Sequence, residues 1–171
     1  GLMSGDLNDR AMLRHTVATL AYRAEKVLRD APAGFDSTRL SPATRTPLEI
    51  VSHLGDLMEW AERMARGEYR WVAQPTGDWK AACDRFFAGL VAVDDALAVS
   101  TLDVIAPGVI FQGPIADALT HVGQLSMIRG TVGAPVRPES YAKAEIQTGR
   151  VGREQSSMRK EFDGDASAAR R

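Results

Sequence analysis

Over most of the first 133 residues, apolar positions recur in alternating steps of three and four, the period of an amphipathic helix rather than of a strand. In residues 6–29 the stripe is Leu13, Val17, Leu20, Ala24 and Val27. Ala31-Pro32-Ala33-Gly34 ends it, because proline cannot supply a backbone donor and glycine suits a C-terminal cap. A second helix starts at Thr46, whose side chain can cap. Pro47 fits the first turn, and Glu49 stands at the spacing of a capping box. Its stripe of Ile50, His53, Leu57, Trp60 and Met64 runs out near Gly67. Asp78 opens a third helix that carries Trp79, Cys83, Phe86, Leu90, Val93 and Leu97. Gly113-Pro114 is expected to open a fourth, with Ala118, His121, Val122, Leu125 and Ile128 inward and an end between Gly130 and Gly133.

Each helix leaves one apolar stripe in need of a partner, so the pattern predicts an all-α protein, a four-helix bundle over residues 1–133. The predicted connections, about 16, 11 and 14 residues, exceed those of a minimal up-and-down bundle, so at least one is expected to cross the bundle end. Beyond Gly133, Pro135 and Pro138 forbid helix continuation, and charges of both signs alternate with few apolar anchors. Residues 134–171 are expected to form an irregular C-terminal arm, packed on or extending from the same domain. There is no internal repeat, no phosphate-cradling glycine loop and no Gly-x-Ser-x-Gly elbow.

Composition narrows the function classes. The 171 residues suit one domain. Lys and Arg number 21 against 22 Asp and Glu, a net charge of −1, which argues against a sequence-independent nucleic-acid binder. A single cysteine excludes an intrachain disulfide framework and a cysteine-rich zinc module, and it fits a reducing compartment. The longest uncharged stretch, residues 104–116, contains two prolines and two glycines and is too short to span a bilayer. No basic-then-apolar leader pattern opens the sequence. A cytoplasmic location with neither membrane nor nucleic-acid partners is the expectation.

With three histidines, each can be weighed singly. His15 lies about 160° round its helix from Val17, off the apolar stripe. His53 holds a core-facing place between Ile50 and Leu57, where an imidazole needs a partner. His121 lies within the apolar face of the fourth helix, with Asp117 one turn earlier, about 40° away. A carboxylate and an imidazole so spaced can close on one metal ion, or simply hydrogen-bond to each other. His53, Asp117 and His121 could fall in one layer of a bundle, and together they form a divalent-metal site with open positions. Glu49, one turn before His53, and Gln124, one turn after His121, are candidates for orienting those ligands. Cys83 is expected to be a core filler, while Arg129, Arg137 and Arg150 have structural roles or meet an anionic substrate.

Two segments carry a resemblance. Residues 46–57, from Thr46-Pro-Leu-Glu through His53, and residues 113–125, with Asp117-Ala-Leu-Thr-His121-Val-Gly-Gln124, resemble the DinB-like (YfiT-like) superfamily, over roughly residues 8–133. The resemblance implies an up-down-down-up four-helix bundle, often a homodimer. It also implies a divalent metal (zinc, nickel, iron or manganese) on one helix-two histidine and a His-x-x-x-His pair on helix four. His53 matches the first, His121 the second histidine of the pair, and Asp117 stands where the other would be, a departure that favours harder metals. Similar proteins include thiol-dependent transferases and isomerases. The expectation is a metal-dependent enzyme that activates a low-molecular-weight thiol or water against a small electrophilic substrate, for thiol transfer or hydrolysis. A non-catalytic bundle holding metal or a small ligand, and a degenerate dimeric scaffold, stand as alternatives.

Overall fold

The computed structural model describes residues 4–162, and among these it is all-α: α1 (Ser4–Leu28), α2 (Pro47–Ala65), α3 (Trp79–Val99) and a composite fourth rod. That rod consists of α4 (Pro107–Ile110), a π-helical turn (Phe111–Ile115) and α5 (Ala116–Thr131). The local signals act as their chemistry dictates. Thr46 accepts from the Glu49 amide while the Glu49 carboxylate accepts from the Thr46 amide, closing the capping box. Asp78 caps α3 by accepting from the Ala81 amide. Gly67, at φ 86°, lets the Gly67 and Glu68 amides turn back onto the carbonyls of Met64 and Arg63. At the end of α1 the left-handed residue is Asp30, φ 56°, ahead of the expected Gly34.

Side-chain contacts fix the helix directions. Arg10, early in α1, donates to the carbonyl of Ser100 at the end of α3, and Arg14 pairs with Asp94 one to two turns inward on both, so these two run antiparallel. Arg129, in the last turn of α5, donates to the carbonyls of Val27 and Arg29 at the end of α1, so α1 and α5 run parallel. Arg85 of α3 meets Asp56 of α2, and Gly89 meets Met58 one turn on, so α2 and α3 run parallel. His53 of α2 faces Asp117 of α5 while the earlier Ile50 shares a cavity with the later Ile128, so these are antiparallel. In chain order the directions are up, down, down, up. Leu20, Ile50, Leu54, Leu57, Met58, Phe86, Leu90, Leu97 and Ile115 fill the space between the rods without exposure. The tightest approach is at Gly89, where a Cβ would lie 2.6 Å from Met58 Cβ, so any side chain there would push α2 and α3 apart.

Parallel neighbours explain a long connection. After Ala65 the chain must return the full length of α2, about 28 Å for its 19 residues, before α3 can start. Residues 66–78 make that return along the flank of α2 rather than across the bundle end, with the Gln74 amide donating to Asp56 and the Thr76 amide to Ser52 Oγ.

The fourth rod corrects the expected start at Gly113-Pro114. Helix begins at Pro107, and Pro114 lies inside it. Proline lacks the N–H that would close an α-helical bond, and the π-helical turn that holds Pro114 ends at Ile115, immediately before α5.

Of residues 134–171, those up to 162 form an irregular arm apart from one short 3₁₀ turn (Tyr141–Lys143) and a bridge between Glu139 and Glu161; the rest of the arm lies outside the described residues. It is fastened to α1 by polar groups. Lys26 Nζ sits 2.6 Å from Glu139 and 3.0 Å from Glu161, and Tyr22 Oη donates to Glu139 at 2.7 Å. No described helix is long and apolar enough to cross a membrane.

Candidate metal centre

The antiparallel crossing of α2 and α5 brings His53, Asp117 and His121 together. Their ligand-capable atoms all lie within 4.8 Å of one another. Asp117 Oδ2 is 3.3 Å from Nε2 of both imidazoles, and the two rings meet edge to face with centroids 4.8 Å apart. Bonds of about 2.0–2.1 Å to one ion put neighbouring ligand atoms about 3.0–3.4 Å apart, so both carboxylate–imidazole edges have the size a divalent cation requires. The His121 side chain is 10% exposed, that of His53 20% and that of Asp117 45%. The cluster is therefore rooted in the core and opens to solvent at the carboxylate.

Hydrogen bonding gives the cluster its chemical bias. Gln124 Oε1 accepts from His121 Nδ1 at 2.7 Å. A neutral imidazole with its proton there presents a lone pair at Nε2. That lone pair points at a carboxylate oxygen, acceptor against acceptor, an arrangement resolved by a proton or a cation between them. Burial is the first cause that holds the His53 pKa below its ordinary 6.5, followed by the opposing hydrogen bond to Asp117, which raises it, and then the charges of His121 and Arg45, which lower it. The net effect keeps His53 in the neutral form that ligates metal.

One wall comes from the returning segment. Trp71 packs on His53 at 5.7 Å and on Trp60 at 5.3 Å, and Tyr69 packs on Trp60 at 5.9 Å, all edge to face. Sequence reasoning missed Trp71 and Tyr69, because residues 66–78 carry no periodic pattern that would assign them a face.

The remaining candidates fall elsewhere. Gln124 hydrogen-bonds to His121, but Glu49 spends its carboxylate on the helix cap and on Arg39 at 2.6 Å, which corrects its expected place behind His53. His15 is exposed on α1. Arg129 donates to the carbonyls at the end of α1, a structural role. Cys83 is a buried thiol whose pKa burial pushes up to about 11, so it holds almost no thiolate at neutral pH. Compared with protein-family models, curated proteins and solved structures, the chain matches none.

Proposed function

We propose that His53, Asp117 and His121 hold one divalent metal ion and that the protein is a metal-dependent enzyme of the DinB-like type. It would act by thiol transfer to, or hydrolysis of, a small electrophilic substrate. The observation that carries this reading is the convergence of His53 Nε2 and His121 Nε2 on Asp117 Oδ2, each at 3.3 Å, with all three ligand-capable atoms within 4.8 Å of one another. Two imidazoles and one carboxylate suit zinc, nickel, iron or manganese and leave coordination positions free. The chemistry such an ion supplies is the acidification of a thiol or water, which gives a nucleophile near neutral pH. The chain's own residues do the rest. Asp117, nearly half exposed, keeps the solvent side open to a substrate, and Gln124 holds the His121 ring in its ligating orientation. Trp71 packs against the His53 ring and is itself braced by Trp60. Because Cys83 is buried and protonated, a nucleophilic thiol would come from a small-molecule cofactor.

The test is metal content of the full chain purified without chelator or histidine tag, beside His53→Ala and Asp117→Ala. About one equivalent per chain, lost in both variants, is the expected result. No bound metal after incubation with zinc, nickel, manganese and anaerobic ferrous iron would leave only the scaffold reading. Stoichiometric metal with no turnover of electrophile–thiol pairs or hydrolase substrates would make the protein a metal or ligand binder.

A further inference from the structure

A cavity of about 350 Å³ lies beside the candidate centre, between residues 40–45, the first turn of α2 and the second half of α5. Its walls are largely apolar, from Ile50 and Ile128, and Leu40 and Met127, respectively 43% and 72% exposed, flank its mouth. Two of its lining residues, both exposed, carry donors that no protein group accepts from. Gln124 gives its Oε1 to His121, which leaves the amide nitrogen and both its protons.

Arg45 is the second. Among the described residues every other arginine donates to, pairs with or stacks on a group of the protein, whereas Arg45 forms no hydrogen bond or ion pair. Even its neighbour Arg39 is taken up by Glu49. An exposed arginine that lines a cavity with apolar walls and spends no donor on the protein is a place for an anion that carries an apolar body.

We propose that this cavity binds a small monocarboxylate, with the carboxylate on Arg45 and the Gln124 amide nitrogen and a short apolar chain between Ile50 and Met127. One guanidinium and one neutral amide match a single planar negative charge, whereas a phosphate dianion would leave charge unanswered. Gln124 belongs to both places, touching His121 through its oxygen and the cavity through its side chain. The substrate class that follows is a small carboxylic acid bearing its electrophilic carbon away from the carboxylate. As a substrate subsite this rests on the metal-enzyme reading; as a carboxylate site it does not.

The two are separated by titrating hexanoate and hexanol into the full chain in excess chelator, followed by calorimetry and by the Gln124 side-chain amide resonances. Hexanoate should bind, hexanol about tenfold or more weaker, and Arg45→Gln should weaken hexanoate about tenfold or more, as loss of a charge-assisted hydrogen bond predicts. Arg45 is exposed, so the variant should keep its helicity and metal stoichiometry. The subsite is overturned if hexanoate does not bind, if hexanol binds equally well, or if Arg45→Gln binds hexanoate like the parent. Arg45-dependent hexanoate binding in a protein that takes up no metal keeps the subsite and sinks the enzyme reading. Metal uptake with binding indifferent to Arg45 does the reverse.

Discussion

Two polar clusters sit between packed elements of this protein. Tyr22, Lys26, Glu139 and Glu161 lie where the arm crosses α1, and His53, Asp117, His121 and Gln124 lie where α2 faces α5. In the first, every acceptor meets a donor. Glu139 takes Tyr22 Oη and Lys26 Nζ, and Lys26 reaches Glu161 as well. Burial first, then the carboxylate of Glu139, holds the Tyr22 phenol protonated far above the usual range, so it stays a donor. In the second, one carboxylate oxygen is shared by two imidazoles at 3.3 Å, and one of those imidazoles has its proton committed elsewhere. A closed cluster of charges holds parts of a fold together. An open one has capacity for something the chain does not supply.

The comparison is broken most sharply by removing a charge from each cluster. Lys26 is 3% exposed and the Glu139 side chain not at all, so Lys26→Met should leave a buried carboxylate without its cation and cost about 3–5 kcal/mol. The double variant Lys26→Met/Glu139→Leu should recover much of that loss. Urea denaturation of the three proteins measures it. Asp117→Asn in chelator should cost far less, because its side chain is 45% exposed. Equal losses in both clusters would dissolve the distinction between closed and open.

A smaller effect sharpens the open side. Gln124→Leu keeps all three proposed ligands but frees the His121 ring to change tautomer and orientation. Metal affinity should fall about 10- to 100-fold, or about 1.4–2.7 kcal/mol, with little change in the stability of chelated protein. Competition with a metal-binding dye reads the first and urea denaturation the second. An unchanged affinity would mean that His121 is held by packing alone.

How much of this was legible follows from where each residue sits. His53, Asp117 and His121 could be grouped because periodic helices assign each a face, and face plus depth along the rod is enough to bring them together. The capping box was legible for the same local reason, but Glu49 could not both cap the helix and serve His53, and the cap holds it. The fourth rod was misplaced because Gly113-Pro114 carries the signature of a helix start, while the π-helical turn that tolerates Pro114 internally depends on tertiary packing. Trp71 and Arg45 were out of reach. Trp71 lies on a return whose path exists only because α2 and α3 run parallel, and Arg45 precedes the helix that would have given it a phase.

The smallest expected effect is on pH dependence, and it follows from His53 alone. Burial, the largest cause, lowers its folded pKa below the ordinary 6.5, despite the opposing hydrogen bond to Asp117. Between the two values the unfolded chain binds more protons, so stability declines as pH falls. The contribution is therefore intact above about pH 6.5, the ordinary histidine value, and is lost as pH drops through the folded pKa. Urea midpoints of chelated protein across that window should fall more steeply for the parent than for His53→Gln, whose neutral amide does not titrate. Saturating metal should move the parent's decline to lower pH, since a ligated imidazole must surrender the ion before it can take a proton. The Tyr22 phenol should contribute nothing in this window, because it stays protonated throughout. If the parent and His53→Gln decline together in chelator, the imidazole is not buried as a neutral base, and the open cluster is already closed by a proton.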